Sequence, residues 1–293
     1  AAEELADRFL FVFEQFCDKH DRALADVSLI TPTEQAALDR GNREAPPSSR
    51  NLVDLFREGV RRSPNRPALT SASQTMTYAE LDELTTTIAH LLIVGHDVGP
   101  DSTVGILMDR SHLPVIAMIS ILKAGATYMP IDPKLPERRI TEMISNAQPS
   151  LVMCQAIYHD LVVSAGHERR HQIVHINPLL ELARTIGSVE GTLPHAHPEA
   201  GAYAIYTSGT TGRPKGVVVT HRAATAWIED WAPRYQLSPT DVVSCTHSFS
   251  FDVSFWECWA AFSSGAELVV LSDRLVAVPP TLVNDLARAG VTI

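Results

Sequence analysis

Cysteine is scarce in this chain: four in 293 residues, Cys17, Cys154, Cys245 and Cys258, widely spaced and with no C-x-x-C pair. That pattern excludes a disulfide scaffold. Because all four sit in or beside apolar segments, they read as reduced core thiols of a cytoplasmic protein. Basic charge is also short, with 24 Lys and Arg against 34 Asp and Glu and a formal net charge of −10. A nucleic-acid binder or a polybasic membrane anchor needs lysine and arginine to neutralise phosphates, so neither class is expected. Long apolar runs are missing too. The region from Leu113 to Leu122 is typical, broken by Pro114 and Ser120, and far below the ~20 residues that span a bilayer. No secretory leader pattern opens the sequence. What is present is an apolar fraction of 45%, ample for a packed core and incompatible with disorder as the main state. An anionic ligand would need a local cradle in so acidic a chain.

Leu5, Phe9, Phe13 and Phe16 recur at helical spacing and predict an amphipathic helix within residues 1–24. A short helix from about Thr33 to Arg40 stops at Gly41, and the polar run Gly41 to Arg50 has linker composition, placing a boundary near residues 42–50. Beyond it, helices and strands alternate, the signature of a layered α/β fold with a largely parallel sheet. Asn51 caps a helix through Arg62, and Tyr78 to about Val94 has helical periodicity. Strands are expected at Val104–Met108, Thr127–Ile131, Leu151–Cys154, Ala202–Tyr206, Val217–Val219, Val242–Val243 and Leu268–Leu271, with helices near 111–124, 136–146, 221–231, 253–262 and 281–289. No fixed-period repeat is visible. A helix ending at Ala289-Gly290 is followed by Val291-Thr292-Ile293, which reads as the opening of a further strand, so the chain is expected to be a piece of a longer protein.

The strongest chemical signal is Tyr206-Thr-Ser-Gly-Thr-Thr-Gly-Arg-Pro-Lys-Gly216, between two expected strands. Gly209 and Gly212 permit close backbone approach, four hydroxyls from Thr207, Ser208, Thr210 and Thr211 supply donors, and Lys215 supplies charge. One lysine–phosphate contact at 4 Å and an effective dielectric near 20 gives about 4 kcal/mol of Coulomb attraction, enough to hold a polyphosphate against an acidic surface. The loop is not a Walker A sequence, because Arg213 and Pro214 separate the lysine from Gly212 and Gly216 follows it. The plain alternative is a flexible surface turn between hairpin strands.

In this order the eleven residues resemble the nucleotide loop of adenylate-forming enzymes, specifically the adenylation domain of nonribosomal peptide synthetases. Further matches follow the family's order: Met76-Thr-Tyr-Ala-Glu-Leu81, Leu122-Lys-Ala-Gly-Ala-Thr-Tyr-Met-Pro-Ile-Asp132 and Phe251-Asp-Val-Ser254. The resemblance runs from about residue 50 to the end, and Phe9 to Ile30 is similar to the close of a condensation domain and its linker. It implies residues 1–49 as that closing segment and linker, and residues 50–293 as the N-terminal part of an adenylation domain: the layered αβαβα large subdomain of the adenylate-forming (acyl-CoA synthetase/luciferase-like) fold, incomplete at its C-terminal end. It implies that Thr207, Ser208, Gly209, Thr210, Thr211, Gly212 and Lys215 surround the β- and γ-phosphates of ATP. Magnesium is implied as well, with its carboxylate ligand and the catalytic lysine both beyond residue 293, so no metal ligand or catalytic residue is assigned here. The first two motifs, with Tyr78, Glu80, Gly125 and Pro130, are structural in the family.

Asp252 has two readings. Before Val-Ser-Phe-Trp-Glu it suits a helix N-cap; the resemblance makes it the carboxylate that pairs with a substrate α-ammonium. Phe251 belongs to the same substrate motif, and Val253 and Trp256 would line the side-chain pocket, where bulky Trp256 favours a small amino acid. The Asp-Val-Trp combination resembles serine-activating members. Trp256 could equally be core packing with Trp259. The implied activity is formation of aminoacyl-AMP and pyrophosphate, then loading of a phosphopantetheine thiol on a carrier protein, with the condensation domain of the same synthetase as the other partner. This piece alone is expected to be inactive. The competing readings are an acyl- or aryl-CoA ligase of the same superfamily and a noncatalytic docking module. His167-Glu-Arg-Arg-His171 formally matches a zinc-protease motif, but Arg169 and Arg170 would set two cations beside the metal, and only His175, His195 and His197 offer themselves as further ligands. A solvated loop is the expected reading.

Overall fold

The computed structural model describes residues 2–18, 23–41, 49–166, 173–189, 191–208, 214–273 and 279–293. They form two compact units, Ala1–Pro47 and Ser48–Ile293. The first holds helices α1 (Ala2–Asp18) and α2 (Pro32–Gly41). Gln15 ties the end of α1 to the following turn, accepting from the Ser28 amide at 3.0 Å and donating to its carbonyl at 2.9 Å. Thr31 and Glu34 exchange capping bonds at the start of α2, at 2.9 and 3.2 Å. Cys17, expected in a core, is exposed, whereas Cys154, Cys245 and Cys258 are buried free thiols. The reason is local, since Cys17 lies in the last turn of an amphipathic helix whose Leu5, Phe9 and Phe13 are exposed as well.

The second unit contains two sheets. In chain order its elements are α3 (Leu52–Arg62), β1 (Pro67–Ser71), β2 (Gln74–Thr77), α4 (Tyr78–His96), β3 (Thr103–Leu107), α5 (His112–Lys123), β4 (Thr127–Ile131), α6 (Glu137–Ala147), β5 (Leu151–Cys154), α7 (His159–Ser164), β6 (Ile173–His175), α8 (Ile176–Ile186), β7 (Gly201–Ser208), β8 (Pro214–Thr220), α9 (His221–Tyr235), β9 (Val242–Cys245), α10 (Asp252–Ser264), β10 (Glu267–Val270) and α11 (Pro279–Arg288). A six-stranded sheet runs β6-β5-β3-β4-β7-β8, parallel except for the β7–β8 hairpin, and a four-stranded sheet runs β2-β1-β10-β9, parallel except for β1–β2.

The expected strands are present, and the apolar runs of β3, β4 and β5 have a clear cause: both faces of the larger sheet are buried at these strands, whereas Val217 and Val218 of the edge strand β8 are exposed. Val104 and Ile106, Tyr128, and Leu151 and Met153 enter the main core, while Leu107, Met129 and Ile131, and Val152 and Cys154 enter a second core under α6 and α7. Helix α5 touches β3 and β4 of one sheet and β1 of the other, so helices lie between the sheets as well as outside them. Four of these elements were not expected from the sequence. Strands β1 and β2 are short and partly polar, α7 is a six-residue helix with no side-chain cap bond, and α8 starts directly after β6 with no separate capping signal. At the C-terminal end the Thr292 amide donates to Val242 at 2.9 Å and the Ser244 amide to Ile293 at 3.0 Å, as in the opening of a strand beside β9.

Motif residues read as structural behave so. Thr77 and Glu80 form a capping box on α4, and the buried Tyr78 hydroxyl donates to the Ala266 and Ala261 carbonyls at 2.6 and 3.1 Å. Gly59 lies so close to α10 that a Cβ there would sit 2.2 Å from the Phe262 carbonyl oxygen. Lys123 is buried and donates to Asp82 Oδ1 at 2.6 Å, Thr85 Oγ1 at 2.8 Å and Thr86 Oγ1 at 2.9 Å, pinning α5 to α4; burial lowers its pKa to about 8.

His221, fully buried at the start of α9, accepts the Leu52 amide at Nδ1 (3.2 Å), joining α9 to the first turn of α3. The bond requires a neutral imidazole, and burial lowers its pKa to about 4. The unfolded chain therefore binds a proton below about 6.5 that the folded chain refuses until about 4. Stability should fall as pH drops through that window, by up to about 3 kcal/mol. Urea unfolding at pH 7 and pH 4.5 measures the loss, and His221→Asn should reduce it.

Candidate active site

The glycine-rich segment joins β7 to β8. Its residues Gly209, Thr210, Thr211, Gly212 and Arg213 lie outside the described residues, but the stem that carries them is defined. Tyr206 faces Gly216 and Thr207 faces Lys215 across the antiparallel ladder, with Ser208 opposite Pro214. The Tyr206 ring covers Gly216 closely enough that a Cβ there would meet it at 3.0 Å. The same ring is held from α6, its hydroxyl donating to Asn146 Oδ1 at 2.7 Å, while Arg139 Nη2 donates to the Thr207 carbonyl at 3.2 Å. Lys215 is exposed, and no carboxylate among the described residues forms an ion pair with it. Its charge remains available to an anion.

Beside this stem begins α10. The N-cap is Phe251, in extended conformation and with no side-chain cap bond; Asp252 is the first helical residue. The capping alternative for Asp252 therefore does not describe the structure. The first turn is closed by Ser254, whose hydroxyl donates to the Phe251 carbonyl at 2.7 Å. The Asp252 carboxylate is exposed, in the first turn where the helix dipole favours negative charge. It stands where two adjoining clefts meet. One, of about 520 Å³, is walled by Tyr203, Trp227, Val253 and Trp256; the other, of about 530 Å³, is walled by Ile205, Tyr206, Thr207, Ser250 and Phe251, and both include Asp252 and Val219. Burial, and then the Asp252 charge, raises the Tyr203 hydroxyl to about 12, so it stays protonated.

The loop leading to Asp252 is fixed by a buried carboxylate on the same helix. Glu257 Oε1 accepts from the Thr246 amide at 3.0 Å, the Thr246 hydroxyl at 2.9 Å and His247 Nδ1 at 2.8 Å, and Oε2 accepts the His247 amide at 3.2 Å. Trp256 is half-buried and packs against the main core that contains Trp259, but its ring contacts are with α9, tilted against Trp231 and edge-on to Tyr235 with ring centroids at 5.4 and 5.7 Å, while Trp259 packs on Phe255 and Phe262.

The structure thus brings Thr207, Lys215, Phe251, Asp252, Val253 and Trp256 to one region. The sequence reading missed Tyr203, Val219 and Trp227, which complete the walls. A usable signal was the aromatic spacing Trp227, Trp231 and Tyr235, which marks one face of α9. The zinc-protease motif at 167–171 lies outside the described residues. Of its possible partners, His175 Nε2 is 3.1 Å from His159 Nδ1, whereas His195 contacts Asp54 at 3.2 Å elsewhere. Among the described residues no three potential metal ligands converge, and no helix is long and apolar enough to cross a membrane.

A glycine-rich hairpin beside a cleft at the C-terminal ends of parallel strands is the arrangement of an adenylate-forming enzyme. The chain belongs to the AMP-binding enzyme family, whose model matches residues 56–293, and its relatives are nonribosomal peptide synthetases. It is 34% identical over 285 residues to the isonitrile lipopeptide synthase of Mycobacterium tuberculosis, covering 95% of this chain and 11% of that protein. It is 32% identical over 298 residues to tyrocidine synthase 3 of Brevibacillus parabrevis, covering 99% of this chain and 4% of that one. The nonribosomal peptide synthetase FmoA3, solved with alpha-methyl-L-serine-AMP bound, superposes with a TM-score of 0.82 at 25% identity over 99% of this chain and 32% of its own. The chain thus spans a small part of the length of these curated relatives. ATP use, with magnesium, goes with this family.

Removing the Lys215 charge from the stem tests its assignment. In the complete protein, Lys215→Ala should raise the KM for ATP by roughly tenfold or more, the scale of one charge-assisted contact, with the amino-acid KM changed far less. Initial rates of ATP–pyrophosphate exchange at varied ATP read this directly.

Proposed function

We propose that the protein of which this chain forms part activates an amino acid, joining its carboxylate to the α-phosphorus of ATP with release of pyrophosphate. The aminoacyl group then passes to the phosphopantetheine thiol of a carrier protein. The observation that carries the reading is the exposed Asp252 carboxylate, with no bonded partner among the described residues, at the junction of an aromatic cleft and a glycine-rich stem. A carboxylate there complements the α-ammonium of an amino acid, whereas a fatty or aryl acid offers no cation to pair with it, which favours this reading over an acyl- or aryl-CoA ligase.

Thr207, Ser208, Gly209, Thr210, Thr211, Gly212 and Lys215 are proposed to hold the β- and γ-phosphates. Donors around a leaving pyrophosphate lower the barrier to attack at the α-phosphorus. Lys215, exposed and without an ion pair among the described residues, fits that role. Magnesium would neutralise phosphate charge when bound; its ligand is assigned to no residue of this chain. Phe251, Val253 and Trp256 are proposed to shape the substrate end of the cleft, with Trp256 favouring a small side chain such as that of serine. The alpha-methyl-L-serine-AMP bound by FmoA3 supports that choice.

Residues 1–49 are proposed to close a preceding condensation domain and link it onward, supported by similarity that covers 95% of this chain, well ahead of residue 56. The complete protein should show amino-acid-dependent ATP–pyrophosphate exchange. Asp252→Ala should abolish the dependence on amino acid while nucleotide binding persists, measured by exchange across a panel of the twenty amino acids and by titration with an ATP analogue. Exchange equal to that of the unmodified protein would return Asp252 to a surface role. Absence of exchange from the complete protein would favour a docking module.

A further inference from the structure

The loop from Thr246 to Phe251 is gripped by the opposite sheet as well as by α10. Ser248 Oγ donates to Asp132 Oδ2 at 2.8 Å, and Asp132 is itself oriented by the Lys134 amide, which donates to Oδ1 at 2.9 Å. Arg110, whose side chain is only 9% exposed, donates to the His247 carbonyl and pairs through Nε with Asp273 Oδ1 at 2.8 Å. Lys134 Nζ reaches the other oxygen of Asp273 at 2.6 Å. Arg110 and Asp132 follow β3 and β4 of the six-stranded sheet, whereas Asp273 and the gripped loop follow β10 and β9 of the four-stranded one. The bonds therefore clip the two sheets together at the C-terminal ends of their parallel strands, four residues before Asp252.

We propose that Arg110 and Asp132 are positioning residues for amino-acid recognition: through the His247 carbonyl and the Ser248 hydroxyl they fix the loop that sets where Asp252 stands in the cleft. The proposal rests on the reading of Asp252 as the ammonium partner. It assigns to the Asp132 end of the Leu122–Asp132 motif a task beyond shaping a turn. The physical case is that neither residue needs to touch substrate. Loop 246–251 has no regular secondary structure of its own; beside the packing of Phe249 on the core and one turn bond from the Phe251 amide to the Ser248 carbonyl at 2.9 Å, these bonds and Glu257 hold it in place. Losing a charge-assisted bond such as Ser248 to Asp132 frees one side of it.

The test uses the complete protein, ATP–pyrophosphate exchange, and L-serine or whichever of the twenty amino acids gives the highest exchange. Ser248→Ala and Asp132→Ala should each raise the amino-acid KM by roughly fivefold to thirtyfold, with the ATP KM changed by less than about twofold. The double variant should come close to the larger single effect, because both substitutions remove the Ser248–Asp132 bond. Ser248→Thr, which keeps the hydroxyl, should return the amino-acid KM to within about twofold, and Arg110→Met should reproduce the rise. An unchanged amino-acid KM in Ser248→Ala and Asp132→Ala would overturn the proposal. So would equal rises in both KM values with a lowered Tm, the signature of general destabilisation. Asp252→Ala is run alongside. If it abolishes amino-acid dependence while the clip variants behave normally, this proposal alone fails; if it has no effect, the reading of Asp252 fails and the proposal with it.

Discussion

A carboxylate shut away from water must have its oxygens met by donors, and at Glu257 that requirement organises the loop that leads to Asp252. Its four bonds draw Thr246 and His247 against the side of α10, at a net cost in desolvation that only a full set of donors offsets. Because Asp252 opens the same helix, one rigid element carries a buried acid that faces inward and an exposed acid that faces the cleft. The direction of the second follows from the satisfaction of the first.

The parts of this architecture that were legible in sequence are those whose cause is local. Strands β3, β4 and β5 stand out because burial on both faces leaves no polar alternation, and Asn51 and Thr77 announce helices through capping boxes within three residues. The order of glycines, hydroxyls and lysine after Tyr206 was legible for the same reason. Strands β1 and β2 were not, since their stability comes from pairing with each other and, for β1, with a strand about 200 residues away. Nor was the place of Asp252 in its helix, where the residues alone lean to a cap, the resemblance leans to a ligand, and only the backbone at Phe251 shows that the capping position lies one residue earlier. The cleft walls from Tyr203 and Trp227 depend on β7, α9 and α10 meeting, which no window of sequence contains.

The acidic balance of the chain and its proposed work with a polyanion are reconciled by distance. At physiological ionic strength charges beyond about 8 Å are largely screened, so a net charge of −10 is a weak opponent of a phosphate held at a few ångströms by Lys215. Arg139, bonded to the Thr207 carbonyl at the base of the hairpin, adds a second positive charge within that range of the stem. What matters to such a ligand is the sign of the nearest groups.

The Tyr206 ring lying across Gly216 has an evolutionary corollary. With a Cβ crowded at 3.0 Å and the ring tethered at its far end to Asn146, the two positions are coupled. A side chain at 216 needs the aromatic at 206 to shift or to be reduced, and either change loosens the tether on α6. Positions 146, 206 and 216 should therefore co-vary as a triplet across descendants of this chain, with a small residue at 206 permitting a larger one at 216 and relaxing the requirement for an acceptor at 146.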